Sequence, residues 1–253
     1  MLSKARIKLI NQLKQKKYRE QNHMFIVEGT RNTIDFLASS FTAVEIFATE
    51  NWIDENKKQL DSAVVSSVGM KDLKKISALT NPSEVCAIFN LPTKKPSPTP
   101  QIDTYSLVLD DIHDPGNLGT IIRTADWFGI TTIYCSINTV DAFNPKVVQA
   151  TMGSLSRVQV VYTDLKVLLT NIPEGLPVYG ALLEGKPINE VNHSKKGLII
   201  IGSEAHGISK DIIPLISDKI TIPLLSSSDA NKPESLNASV ACAIICYALK
   251  ISN

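Results

Sequence analysis

From residue 105 onward, short and almost continuously apolar runs alternate with segments of helical pattern. Six runs predict strands, at 106–110, 131–135, 158–162, 178–182, 198–201 and 220–222. Apolar residues at successive positions, rather than at every second one, are typical of strands that are covered on both faces. Strands that alternate with helices form mostly parallel sheets. The sequence therefore predicts an α/β fold with a mostly parallel sheet for this part of the chain.

A smaller α/β unit precedes these strands. Its predicted helices cover 4–16, 30–37 and 71–79, and its predicted strands cover 24–27, 43–47, 63–65 and 85–89. Residues 91–100 then contain four prolines, and such a stretch continues neither a helix nor a central strand. We predict an N-terminal α/β domain over 1–92, a proline-rich linker over 93–104 and a second domain over 105–253.

Charge is distributed unevenly along the chain. The 26 basic and 25 acidic residues nearly cancel, so the overall charge does not indicate a nucleic-acid partner. Within residues 1–31, however, eight basic residues accompany only two acidic ones. A basic surface local to one end attracts phosphate even when the whole molecule is close to neutral.

The four cysteines form no CxxC pair and have no zinc-ligand spacing with histidine, so we expect free thiols and no metal. No apolar stretch approaches the roughly 20 residues needed to cross a bilayer. We therefore expect a cytoplasmic protein without membrane contact. The basic, acid-poor start is also typical of an organelle transit peptide, but it runs without a break into apparent domain sequence.

Polar and glycine residues follow three of the predicted strands. The first cluster leads to Asn117, a predicted helix N-cap, and to Arg123 two turns into that helix. The second places Glu204 between two glycines, and the third places Ser235 and Asn237 at the start of the last helix. Ligands bind outside the carboxyl ends of parallel strands. We therefore expect one composite site that is built from all three clusters.

The last helix has the clearest periodicity in the chain. Leu236, Val240, Ile244 and Ala248 recur at intervals of four. This spacing predicts one apolar stripe on the helix, and we expect that stripe to be buried.

Each cluster, taken alone, also has a purely structural interpretation as a capped helix, a surface ion pair or a turn. Two enzyme classes fit the residues poorly. A Ser/His/Asp hydrolase lacks a nucleophile elbow around Ser235, and no carboxylate partner for His113 or His206 is assignable from sequence. A dinucleotide-dependent oxidoreductase would need the GxGxxG fingerprint, which is missing. A module that has the predicted α/β fold, but that binds RNA or associates with the ribosome without catalysing a reaction, remains an alternative.

Together, the three clusters resemble motifs one to three of the SpoU (TrmH) family of RNA ribose 2′-O-methyltransferases, in the SPOUT superfamily. The matches are N-x-G-x-x-x-R at Asn117, Gly119 and Arg123, then G-x-E-x-x-G at Gly202, Glu204 and Gly207, then I-P…S-L-N-x-S-V-A at Ile222, Pro223 and 235–241. The N-terminal part resembles the family's L30e-like substrate-binding domain at 16–20 and 25–29.

The resemblance implies an S-adenosylmethionine cofactor, a C-terminal trefoil knot, and a homodimer that acts on rRNA or tRNA. It implies catalytic roles for Asn117, Arg123, Glu204, Ser235 and Asn237, and cofactor contacts at Gly202, Ile222 and Leu236. The RNA contacts implied are Lys16, Lys17, Arg19, Arg31 and Arg123. The 224–234 loop is longer than is usual in the family and lacks its glycine.

The resemblance leaves the identity of the general base open. The ribose 2′-hydroxyl must lose a proton as it attacks the methyl group, so a positioned base should assist the reaction. Family proposals give this role to the arginine of motif one, but a guanidinium keeps its proton throughout the accessible pH range. We therefore expect Arg123 to orient and neutralise phosphate, and we hold it only as a candidate base.

Overall fold

The computed structural model describes residues 2–60, 64–93, 99–225 and 234–251. The chain forms two compact units. The first comprises Met1–Lys95 together with Asp141–Arg157, and the second comprises Pro96–Val140 and Val158–Asn253. The predicted linker includes residues 94–98, which lie outside the described residues, so the domain limits at 92 and 105 stay a prediction.

The helices and strands follow one another much as the sequence predicts. The α-helices of the described residues are α1 (Lys4–Gln12), α2 (Lys16–Asn22), α3 (Thr30–Leu37), α4 (Glu50–Glu55), α5 (Met70–Ile76), α6 (Pro115–Trp127), α7 (Pro145–Ala150), α8 (Leu165–Thr170) and α9 (Ala238–Ile251). The strands are β1 (Met24–Glu28), β2 (Ala43–Ala48), β3 (Val65–Ser67), β4 (Val85–Asn90), β5 (Tyr105–Asp110), β6 (Thr132–Cys135), β7 (Gln159–Tyr162), β8 (Val178–Pro187), β9 (Gly197–Gly202) and β10 (Asp218–Thr221). None of these helices is long and apolar enough to span a bilayer.

The first unit contains a mixed four-stranded sheet in the order β1-β4-β2-β3. Strand β4 pairs antiparallel with β1 and β2, and β3 pairs parallel with β2. The strand predicted over 63–65 begins at Val65 in the structure, and residue 63 lies outside the described residues. Phe25, Phe36 and Phe89 contribute buried rings to the core of this unit.

The helix predicted over residues 4–16 is divided in two in the structure. Helix α1 ends at Gln12, and α2 starts at Lys16. The guanidinium of Arg19 donates hydrogen bonds of 3.0 Å to the carbonyl oxygens of Leu13 and Lys14. Carbonyl groups at a helix C-terminus have no partner within the helix, and Arg19 supplies one from the next helix. Periodicity did not reveal this break because the apolar series ends at Leu13, the C-cap of α1, and residues 14–17 carry no apolar side chain that could show where the helix stops.

Residues 141–157 pack inside the first unit although they follow β6 in sequence. The Phe143 ring lies 4.7 Å from the ring of Phe25, centroid to centroid. The Asp141 carboxylate pairs with Arg19, and Asp35 accepts a 3.0 Å hydrogen bond from Arg157. An aromatic contact and two ion pairs thus fix this segment to the N-terminal sheet and helices.

The second unit contains a six-stranded sheet in the order β10-β8-β9-β5-β6-β7. Every pair of neighbouring strands in it is parallel. Strands β5 and β9 are buried nearly throughout, as their continuous apolar runs predict. The predicted α/β fold with a mostly parallel sheet is confirmed. The trefoil knot implied by the resemblance stays a prediction.

The N-cap of helix α6 lies three residues earlier than the sequence predicts. It is Asp114, whose Oδ1 accepts the backbone N–H of Asn117 at 2.8 Å, and Pro115 occupies the first helical turn. Proline is favoured there because its missing N–H would have no partner in the helix anyway. The prediction of Asn117 as the N-cap is therefore wrong. Its side-chain amide is free for other contacts.

The prediction that the apolar stripe of the last helix is buried is wrong. Leu236, Val240 and Ile244 have 46%, 47% and 37% of their surface exposed. The buried face of α9 carries a second set of residues with helical spacing: Cys242, Ile245, Cys246 and Leu249. Both faces of the helix are apolar, so periodicity alone does not decide which one packs on the sheet.

Candidate active site

The first two polar clusters follow adjacent strands at the same level. Strands β5 and β9 pair in parallel register, and Asp110 at the end of β5 lies opposite Gly202 at the end of β9. The buried Asp110 carboxylate accepts the backbone N–H of Ser209 at 2.7 Å. This bond ties the end of β5 to the chain that follows the β9 turn. The sequence indicated no role for Asp110 beyond its place in the cluster.

A chain of side-chain hydrogen bonds joins all three clusters. Asn237 Nδ2 donates to Asn117 Oδ1 at 2.9 Å, and Asn117 Nδ2 donates to Glu204 Oε1. The composite site predicted from the strand ends is thus brought together for these three residues.

The direction of this hydrogen-bond chain is fixed at both ends. Asn237 Oδ1 caps α9 by accepting from the backbone N–H and the hydroxyl of Ser239, at 3.0 and 2.6 Å. The Asn237 amide nitrogen must therefore face Asn117. At the other end an ionised carboxylate only accepts, so Asn117 must present its nitrogen to Glu204. Helix capping thereby orients two amide groups and one carboxylate at the surface of the site.

The turn after β9 explains both glycines of the second motif. Ser203 and Gly207 exchange two backbone hydrogen bonds, of 3.2 and 2.9 Å. Gly207 has φ +66°, which a residue with a side chain adopts only under strain. A Cβ on Gly202 would lie 2.2 Å from the carbonyl carbon of Gly207. The tight turn places Glu204 at its exposed tip.

Arg123 lies outside this hydrogen-bond chain. It is exposed on α6, on the same helix face as Thr120 and Trp127. Within the described residues, no hydrogen bond or ion pair to Arg123 is present. Ser235 is also exposed, two residues before Asn237. The structure therefore joins three of the five predicted catalytic residues directly, and it leaves Arg123 open to solvent.

The predicted cofactor contacts fit S-adenosylmethionine in their chemistry. Gly202 and Gly207 bring backbone groups close together at the β9 turn, and Ile222 follows β10. Two leucines close to the third motif in sequence have exposed apolar side chains: Leu225 is 93% exposed and Leu236 is 46% exposed. Apolar side chains beside backbone N–H and C=O groups suit a nucleoside, because its ring is apolar on the faces and polar at the edges. The loop predicted over 224–234 includes residues 226–233, which lie outside the described residues.

The predicted RNA contacts in the first unit divide into exposed and buried residues. Lys16, Lys17 and Arg31 are exposed, and Arg31 pairs with Asp35 at 3.1 Å. Arg19 is only 2% exposed and pairs with Asp141. Its guanidinium is committed to interactions inside the unit, so we assign Arg19 a structural role and leave it out of the RNA surface.

The four cysteine thiols lie in the interior of the protein. All four cysteines are buried and free. Burial raises the pKa of the Cys86 and Cys135 thiols, and the hydrogen bond with Cys246 together with burial raises the pKa of Cys242. A thiol with a raised pKa holds its proton at neutral pH and is a poor nucleophile.

His113 has a carboxylate partner that the sequence did not reveal. Its Nε2 lies 3.1 Å from Asp111 Oδ1. Asp111 is two residues before His113 in the same loop. Its backbone conformation, which brings the two side chains together, is not encoded in any periodic pattern.

The comparisons with known proteins identify the family of this chain. The sequence model of the SpoU rRNA Methylase family matches residues 104–247, and that of the MRM3-like substrate binding domain matches residues 4–87. The chain is 30% identical over 250 residues to a 23S rRNA (guanosine(2553)-2′-O)-methyltransferase of Bacillus subtilis, covering 97% of this chain and 96% of the relative.

Solved structures extend the similarity to the whole fold. A putative RNA methyltransferase of the TrmH family from Porphyromonas gingivalis superimposes with a TM-score of 0.86 at 34% identity, with 100% of each chain covered. An AdoMet-bound rRNA methyltransferase from Sinorhizobium meliloti gives 0.84 at 26% identity, covering 98% of this chain and 96% of that one. With its three motifs joined by one chain of hydrogen bonds, the chain belongs to the SpoU rRNA methylase family.

Proposed function

We propose that this protein transfers a methyl group from S-adenosylmethionine to a ribose 2′-hydroxyl of ribosomal RNA. The observation that carries the proposal is the oriented hydrogen-bond chain from Asn237 through Asn117 to Glu204, which joins all three family motifs. The names of the Bacillus and Sinorhizobium relatives support rRNA as the substrate class and S-adenosylmethionine as the donor. A cytoplasmic location, where bacterial ribosomes are assembled, is part of this proposal.

The residues of the chain divide the work of binding and orientation. When bound, S-adenosylmethionine supplies a methyl group made electrophilic by its sulfonium. Gly202, Ile222 and Leu236 would hold the cofactor. The oriented amides of Asn117 and Asn237 offer fixed hydrogen-bond partners to the ribose, which lowers the entropic cost of reaching a reactive geometry.

The remaining predicted residues act on charge and on the RNA backbone. The Arg123 guanidinium grips an RNA phosphate with a two-point fork and neutralises it. The Ser235 hydroxyl adds a donor and acceptor close to Asn237 in sequence. Lys16, Lys17 and Arg31 supply the basic surface of the first unit, where phosphate contacts position the RNA.

A homodimer completes the proposal. We take the exposed apolar side chains of α6 and α9 as one face, which consists of Trp127, Val240, Ile244 and Tyr247, with exposures of 84%, 47%, 37% and 56%. The two helices pack against each other. A helix that is apolar on all sides is normally covered on all sides, so a second copy of this chain is the occupant that we assign to this face. Arg123 shares the exposed side of α6 with Trp127, so the interface would also border the site.

We expect the double variant Trp127→Glu with Ile244→Glu to raise the dimer dissociation constant at least about 30-fold, because both charges would be buried at the interface centre. Sedimentation equilibrium measures this constant directly. Val167→Glu is the matched control, since Val167 is 57% exposed on α8, away from this face in the fold of the second unit. A monomeric wild type, or a double variant that associates as tightly as the control, contradicts the proposal.

The enzymatic proposal is tested by mapping 2′-O-methyl marks in RNA from cells with and without the gene, and by assaying the purified protein on the unmodified RNA. We expect one ribosomal RNA position to lose its mark and to regain it on addition of the wild-type protein. Loss of a tRNA mark instead would reassign the substrate class. Absence of any lost mark, together with no cofactor binding in calorimetry, would favour the non-catalytic RNA-binding module.

A further inference from the structure

The loop between β5 and α6 holds a histidine and an aspartate in contact beside the site. His113 Nε2 lies 3.1 Å from Asp111 Oδ1, and the two side chains are 67% and 33% exposed. The same loop leads through the Asp114 cap to Asn117, so the pair lies at the strand end that forms the site.

The backbone of Asp111 is held in a conformation that non-glycine residues seldom adopt. Its φ is +64°, in the left-handed region. Such a conformation persists only where the surroundings of the residue enforce it. The enforcing contact is a 3.0 Å hydrogen bond from the Asp111 backbone N–H to Ser136 Oγ, and Ser136 Oγ lies 3.0 Å from Thr139 Oγ1. Strain of this kind is concentrated at functional sites.

The contact fixes the tautomer of the imidazole. An ionised Asp111 carboxylate only accepts hydrogen bonds, so the hydrogen of the neutral ring must be on Nε2. Nδ1 then carries the lone pair. Because most of the side chain is exposed, that lone pair is accessible to an incoming hydroxyl group. A carboxylate that orients an imidazole and stabilises its protonated form is the arrangement by which enzymes turn histidine into a general base.

The other charged groups of the surrounding elements are committed elsewhere. Glu204 accepts from Asn117, Asp110 accepts from Ser209, and Asp114 caps α6. Arg123 keeps its proton at any accessible pH. The ring of His206, on the β9 turn, has no hydrogen-bond partner within the described residues. His113 is thus the histidine of this region that the structure provides with an orienting carboxylate.

We propose that His113, oriented by Asp111, is the general base of the methyl transfer, which rests on the proposed function above. In this step the 2′-hydroxyl proton passes to His113 Nδ1 while the hydroxyl oxygen forms its bond to the methyl carbon. The bond from that carbon to sulfur breaks, and its electron pair stays on sulfur as the neutral thioether of S-adenosylhomocysteine. Asp111 stabilises the resulting imidazolium. Arg123 then serves as a phosphate ligand only.

The proposal is tested first by single-turnover methylation at saturating RNA and cofactor between about pH 5.5 and 9. A general base acts only in its unprotonated form, so we expect the wild-type rate to rise with pH and then level off. His113→Gln should lower the plateau about 100-fold and remove the rise, whereas Asp111→Asn should give a smaller loss. Imidazole added to His113→Ala should restore part of the rate.

Controls separate this role from a structural one. Each variant must keep wild-type cofactor affinity in calorimetry and wild-type thermal unfolding. His23→Asn is the matched control, because His23 is an exposed histidine of the first unit with a left-handed backbone that asparagine tolerates. It should leave the plateau and the pH profile unchanged.

A second readout is independent of activity. Nitrogen-15 NMR of the free protein should show the His113 ring as the Nε2–H tautomer in the wild type and as a tautomer mixture in Asp111→Asn. An Nδ1–H tautomer in the wild type overturns the proposal, as does a His113→Gln variant that keeps the wild-type rate and pH profile. Failure of the proposed function is distinct, since the wild type itself would then methylate no RNA.

Discussion

Replacing Arg123 with alanine is expected to lower the single-turnover methylation rate by about 1,000-fold, with the affinity for S-adenosylmethionine close to that of the wild type. The structure gives a reason for this separation. Arg123 is exposed on α6 and takes no part in the Asn237–Asn117–Glu204 chain, so its loss leaves the cofactor side of the site intact. What it removes is the cation that positions the RNA phosphate beside the reacting ribose.

Two further variants test this assignment. Arg123→Lys keeps the positive charge but loses the planar fork, so its rate should fall between those of the wild type and the alanine variant. Thr120→Ala changes an exposed neighbour on the same helix face without changing charge, and it should leave the rate unaltered. Because Trp127 lies on this face, each variant also needs its dimer constant measured. An alanine variant with wild-type turnover would exclude Arg123 from the reaction.

Replacing Arg19 with methionine is expected to lower the free energy of unfolding by about 3 to 5 kcal/mol, because breaking a buried ion pair leaves its partner charge uncompensated. The substitution keeps an apolar stem of similar length but removes the contacts to Asp141 and to the carbonyl oxygens of Leu13 and Lys14. Chemical denaturation followed by circular dichroism measures the difference.

The comparison with Lys16 makes the test specific. Lys16 and Glu20 form a 3.9 Å pair in which both side chains are about 60% exposed, so Lys16→Ala should cost less than about 1 kcal/mol. For RNA binding the order should be reversed. Lys16→Ala should reduce the slope of log affinity against log salt concentration by roughly the contribution of one phosphate contact. The folded Arg19→Met protein should keep the wild-type slope. A stable Arg19→Met protein with a reduced slope would restore Arg19 to the RNA surface.

The sequence predicted the central strands of the second unit well because they are buried on both faces. Strands β5, β6 and β9 are buried nearly throughout, and they start and end within one residue of their predicted limits. Burial on both faces produces runs of apolar residues that depend on no detail of the packing. Strand β8 was predicted only to Leu182 and continues to Pro187, because its outer half is polar and pairs with β10 across a register shift.

The motif residues were found because each cluster directly follows a strand, and their grouping followed from the parallel sheet. Which side chain forms a hydrogen bond with which was not predictable from the motifs. Asn117 was predicted as a helix cap, whereas Asp114 fills that role and releases the Asn117 amide to Glu204 and Asn237. Asp and Asn are both favoured as helix N-caps, so residue type alone does not show whether Asp114 or Asn117 precedes the first helical turn.

The linear sequence by itself determined the order of strands and helices, the parallel sheet and the location of the three motifs, because burial periodicity and turn chemistry are local properties. Only the tertiary structure decided that Arg19 is buried against Asp141, that residues 141–157 belong to the first unit, and which apolar face of α9 is covered. It also decided that Asp111 meets His113. Each of these depends on a contact between distant segments or on one left-handed backbone angle, and neither leaves a periodic trace in the chain.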